Sequence, residues 1–127
     1  MGIAGAVAFR ALRPSSSPPP AAIAADPLLV RGREVFLDRC ATCHGQGGAG
    51  DGPIAKNLAG PPVGNLTDAD WKHGDAPGQV LGVIRLGVKE TQMPAWGVYL
   101  PAADVKAVAG YVYHLAGREV PGPIRAD

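Results

Sequence analysis

Apolar residues recur at helical spacing in several stretches of the chain, and no stretch shows the alternation of a half-buried strand. Leu29, Gly32, Phe36 and Cys40 fall at i, i+3, i+7 and i+11, the stripe of a first helix that carries a cysteine on its buried side. Five glycines in the eight residues Gly45 to Gly52 end that helix in a flexible loop. Thr67 with Asp70 three residues on resembles a capping box and predicts a short helix around Trp71 that closes before Gly74. Asp75 as N-cap, with Pro77 in the first turn, starts a helix with Val80, Val83 and Ile84 on one face that stops near Gly87. Val88 to Leu100 reads as loop. The last helix has Pro101 in its first turn, Asp104 at the positive end of its dipole and Gly117 at its C-terminus. Val105, Val108, Val112 and Leu115 line its apolar side, with Tyr111 at the margin. The pattern predicts an all-α domain of three or four short helices joined by long loops.

At 127 residues there is room for one compact domain, and 18 glycines and 13 prolines commit much of it to turns. Such a small, loop-rich chain gains from a staple such as a large apolar cofactor. A formal charge of +1, with scattered lysines and arginines, gives no electrostatic case for nucleic acid or an anionic membrane surface. Residues 2–9 are apolar but far short of the roughly 20 residues of a membrane span. The run from Arg13 to Pro20 reads as an extended linker, and Ala22-Ile23-Ala24 offers small residues of the kind signal peptidase accepts. Residues 1–25 are therefore expected to be an export signal, the remnant of an anchor with its tether, or a disordered tail. The domain is expected over 26–120, with a tail over 121–127.

Both cysteines lie in Cys40-Ala41-Thr42-Cys43-His44. Two thiols at this spacing can reach the two vinyl groups of a haem, and the adjacent imidazole can bind its iron. Structural zinc wants four ligands, and His44, His73 and His114 complete no second pair. A thioredoxin-like dithiol needs a helix packed on a sheet, and no sheet is legible. Met93, in Met93-Pro94-Ala95-Trp96-Gly97, is a candidate sixth ligand: the other methionine is Met1, and the loop around Pro94 suits a ligand better than core filler. His73 and His114 are its rivals, both expected at the surface.

From about Pro27 to Gly117 the chain resembles the class I (monohaem) c-type cytochromes. The resemblance rests on Gly32-x-x-x-Phe36 leading into Cys40-x-x-Cys43-His44-Gly45, then Gly50-Asp51-Gly52-Pro53, Met93-Pro94-Ala95-Trp96-Gly97 and Val108-Ala109-Gly110-Tyr111-Val112. It is nearest to the small bacterial cytochromes and cytochrome domains that accompany oxidases and dehydrogenases.

The resemblance implies a cytochrome c fold around one covalent haem c. Cys40 and Cys43 would form its thioethers, and His44 and Met93 its axial pair. The other ring nitrogen of His44 would donate to a carbonyl, that of Pro53, with Pro61 and Pro62 as alternatives. Gly32, Phe36 and Tyr111 would form the contact between the first and last helices. Trp71 and Trp96 would pack near the haem rim, and Arg85 and Lys56 would be propionate partners.

With both axial positions filled, the expectation is an electron carrier of fairly positive potential rather than an enzyme. Redox proteins would dock transiently at an exposed haem edge, or the domain would belong to an oxidase or dehydrogenase complex. A haem sensor or peroxidase with a labile Met93 is the third reading. Covalent haem attachment implies a periplasmic or outward-facing place, with the membrane reached only through an N-terminal anchor.

Overall fold

Asp26 sits just ahead of the first helix in an extended conformation, and its carboxylate accepts the Leu29 N–H at 3.4 Å. With Pro27 in the first turn, this starts helix α1 (Pro27–Val35). The structure, a computed structural model, describes residues 17–68 and 70–126. The apolar stripe does not continue as regular α-helix to the first cysteine. Phe36–Cys40 forms a π-helical turn in which the Ala41 N–H donates to the Phe36 carbonyl, and a short α2 (Ala41–His44) follows. Gly45, at φ 83°, ends it. Among the described residues there is no strand.

Among the described residues no helix forms around Trp71. Asn65 accepts the Thr67 N–H at 2.8 Å and Asp68 accepts the Asp70 N–H at 3.1 Å, so side chains capture the amides that a first helical turn would use. Helix α3 (Pro77–Leu86) begins one residue later than expected, with Ala76 rather than Asp75 as its flanking residue. The Gln79 side chain accepts the Ala76 N–H at 3.1 Å, which fixes that end. A 3-10 turn, Trp96–Val98, interrupts the expected loop. Helix α4 (Ala102–Leu115) is flanked by Pro101 and followed by Gly117 at φ 69°.

Helices α1 and α4 cross at Gly32. A Cβ there would lie 2.8 Å from both the Ala107 carbonyl carbon and the Tyr111 Cβ, so only glycine permits this approach. Phe36, fully buried, meets Tyr111 with ring centroids 5.5 Å apart. Val105, Val108 and Val112 are buried as the periodicity predicts, and Tyr113 joins them.

The core also takes residues from outside the expected 26–120 boundaries. Ile23 is 1% exposed in a turn whose Pro20 carbonyl accepts the Ile23 and Ala24 amides, both at 3.0 Å. Ile124 is equally buried in a final short helix, α5 (Gly122–Arg125). The segments expected as linker and tail thus end in core contacts, because each carries one isoleucine that regular periodicity does not reveal. The expectations for residues 1–16 lie outside the described residues.

Candidate haem site

Cys40, Cys43 and His44 lie where the π-turn passes into α2, each partly exposed. The two cysteines are unlinked. Burial, with Cys43 as the next cause, pushes the Cys40 thiol up to about 12. A dithiol redox centre needs the opposite, a thiol that ionises readily. The glycine-rich loop lies directly on this helix end. The Gly52 N–H donates to the Cys43 carbonyl at 3.1 Å and the Ile54 N–H to that of Thr42 at 3.2 Å. A Cβ at Gly52 would sit 2.6 Å from the Cys43 oxygen, so the loop's close seat depends on that glycine.

His44 departs from expectation in one respect. Its Nδ1 is buried and has no hydrogen-bond partner, so the donation to the Pro53 carbonyl is not made. The backbone amides on either side of Pro53 are committed to the motif's carbonyls, and Pro53 itself is exposed. Burial lowers the His44 pKa and favours the neutral imidazole.

Met93 is half-buried on a segment that crosses the C-terminal end of α3. A Cβ at Gly87 would lie 2.6 Å from the Met93 oxygen, and one at Gly97 would lie 2.5 Å from Arg85 Cγ. These two glycines let the segment lie flat against the helix. The Val88 N–H donates to the Met93 carbonyl at 3.3 Å, closing a six-residue loop.

The two tryptophans have different neighbours. Trp71 donates its indole N–H to the Leu66 carbonyl at 3.1 Å, so this donor is already used. Its ring meets Tyr113 edge-on at 5.2 Å, and the Arg118 guanidinium lies 4.3 Å above it. Trp96 is half-buried beside Tyr99, with centroids 5.9 Å apart. His73 is exposed, while His114 is half-buried against Tyr111 at 5.8 Å. Lys56 and Arg85 are exposed. Sequence reasoning missed Thr91, whose hydroxyl lies inside the Met93 loop and which no motif marks.

This set of residues fits a covalent haem. It offers two unlinked thiols beside an imidazole that burial keeps in the neutral form, the one that binds iron. Leu37, Leu81, Leu100 and Trp96 pack against the core yet remain partly uncovered, apolar surface of the kind a porphyrin can cover.

Helices without strands, a Cys-x-x-Cys-His helix end and a downstream Met segment define a small c-type cytochrome domain with the cytochrome c fold. Residues 27–112 match the family "cytochrome C oxidase, cbb3-type, subunit III", and the chain belongs to that family, whose c-type haem is covalently bound.

Among curated relatives, the cbb3-type cytochrome c oxidase subunit CcoP of Cereibacter sphaeroides is 38% identical over 95 residues. That match covers 72% of this chain and 29% of the relative. Subunit FixP of Azorhizobium caulinodans is 35% identical over 91 residues, with 72% and 28% covered. The chain thus spans less than a third of these relatives' length.

Two solved structures share the fold. A reducing HAO-like protein complex of Kuenenia stuttgartiensis, Kustc0457/Kustc0458, matches with TM-score 0.66 and 25% identity over 79% of this chain and 47% of that one. The KustC0563 c-type cytochrome matches with TM-score 0.52 and 26% identity over 69% of this chain and 96% of that one.

Proposed function

We propose that this chain is an electron-transfer domain holding one haem c, with Cys40 and Cys43 as the covalent attachments and His44 and Met93 as the axial ligands. The observation that carries this reading is the helix end itself, which sets both unlinked cysteines beside the partly buried His44 imidazole. A single Cys-x-x-Cys-His run supports one haem. Haem held there supplies a reversible one-electron couple with both axial positions filled.

The chain's own part is to hold its ligands still. Gly52 seats a loop against the motif, and Gly87 seats the Met93 segment against α3. With both axial positions filled, the domain acts as a carrier rather than an enzyme. Leu86 at the end of α3, and Val98 and Tyr99 in and just after the 3-10 turn that packs on that helix, are 72%, 77% and 64% exposed. They offer redox partners a small apolar contact, which for a near-neutral chain has modest salt dependence.

The relatives' names favour membership of an oxidase complex, with the domain passing electrons into or out of it. A free or tethered carrier is the second reading, favoured by the near-complete overlap with a small cytochrome. Gel filtration of native extract separates the two, since a carrier elutes alone. Because haem c is attached outside the bacterial cytoplasm, the domain faces outward in either case. Among the described residues no helix is long and apolar enough to cross a membrane.

Expression with the haem-attachment machinery tests the site. The haem is expected to stay with the polypeptide on a denaturing gel, and to be lost when Cys40 and Cys43 are both changed to alanine. Met93→Ala is expected to abolish the weak far-red band of a methionine–ferric iron bond. Haem that acid-acetone extracts from the unaltered chain would sink the covalent reading.

A further inference from the structure

We propose that Thr91 is the positioning residue for Met93, an inference that rests on Met93 being an axial ligand. The Met93 N–H donates to Thr91 Oγ1 at 3.1 Å. That hydroxyl in turn donates to the Val88 carbonyl at 2.7 Å. The Val88 N–H donates to the Met93 carbonyl at 3.3 Å. The three bonds form a closed circuit in which one side chain braces the loop from inside and both backbone polar groups of Met93 are committed.

Neighbouring residues complete the constraint. Pro94 restricts the backbone of the residue before it, so the ψ of Met93 is confined to the extended range. Gly87 presses against the Met93 carbonyl. The Thr91 hydroxyl secures the N–H side, and its β-branch limits the rotamers that could release it. Lys89, Glu90 and Gln92 are exposed, while Val88, Thr91 and Met93 are only half-buried. The brace therefore secures little core. What it fixes is the direction in which the thioether leaves the backbone.

The test uses the haem-loaded protein. Thr91→Val keeps the shape but removes both hydrogen bonds, whereas Thr91→Ser restores them. The valine variant is expected to weaken the far-red band and to bind carbon monoxide faster in its ferrous form. Exchange of the Met93 amide is expected to rise roughly five- to tenfold. The serine variant is expected to behave as wild type in all three. If Thr91→Val leaves band, carbon monoxide binding and Met93 exchange unchanged, Thr91 positions nothing. If Thr91→Val does not fold, the wild-type amide decides. Met93 protected above Gln92 supports the circuit, and Met93 exchanging as freely as Gln92 overturns it. Met93→Ala separates the two levels: a far-red band that survives it refutes Met93 as the ligand, whatever Thr91 does.

Discussion

Glu90 is the residue where the Met93 loop stores strain. Among the described residues it is the non-glycine with positive φ, at 65°. It follows Lys89 in the turn closed by the Thr91 N–H on the Val88 carbonyl at 3.3 Å, where the third position requires the left-handed region. For a residue with a long side chain this costs on the order of 1 kcal/mol. Asparagine visits that region more readily and, unlike glycine, adds little freedom to the unfolded chain. Glu90→Asn is therefore expected to raise the Tm by about 2–4 °C, and Glu90→Val to lower it by a similar amount. A thermal melt of the haem-loaded variants checks this, and a lower Tm for Glu90→Asn would show that the glutamate side chain itself holds the turn. Cys40, Cys43, His44 and Met93 were legible as candidates by type alone, since thiols, imidazole and thioether announce what they can bind. Thr91 was not, because a hydroxyl that bridges two backbone groups inside a loop looks in the sequence like any surface threonine.

The α1–α4 crossing decides whether the elements assemble. Gly32 lets the helices touch through backbone, with Phe36 and Tyr111 filling the space beside them. Gly32→Ala would gain helix propensity yet drive a methyl group into the Ala107 carbonyl. Overpacking of this kind costs about 1–3 kcal/mol and outweighs the propensity gain of up to ~1 kcal/mol. Urea unfolding is expected to show a lower midpoint, and an unchanged midpoint would mean that the helices can part without loss. The glycine and aromatics of this crossing were legible, as were the C-terminal ends of α3 and α4, where Gly87 and Gly117 act locally. The π-turn was not legible, since shifting a bond from the fourth to the fifth residue back changes no residue type. The helix expected at Trp71 failed because Asn65 and Asp68 can bond the backbone in a competing turn as well as cap a helix. Ile23 and Ile124 escaped notice because each is a single apolar residue whose burial depends on the whole fold.

At the scale of the molecule, the two ends of the described chain are clasped together. Ile23 and Ile124 share the core, and Asp26 binds Arg125 through two hydrogen bonds, at 2.8 and 3.3 Å. A second such pair, Arg31 with Asp104 at 2.9 and 3.0 Å, ties α1 to the start of α4. The Arg125 hydrogen bonds hold the Asp26 pKa below its ordinary value, outweighing a smaller opposing effect of burial, and Arg31 does the same for Asp104. The sign follows from which state takes up protons first. Near the ordinary aspartate value of about 4 the unfolded chain begins to bind protons that the folded clasp still refuses, so acid favours unfolding. The stabilisation is complete above that range and is lost as pH falls through the lowered folded pKa values. Both pairs lie near the surface, with the arginines about half exposed, so each contributes no more than ~1 kcal/mol and less in high salt. The Tm is therefore expected to fall between about pH 5 and pH 2, and Asp26→Asn combined with Asp104→Asn is expected to flatten that slope while lowering the Tm at neutral pH. Calorimetry across this range at low ionic strength decides the matter. If the double variant keeps the wild-type acid slope, the proton uptake belongs to other carboxylates and the clasp is held by its two isoleucines alone.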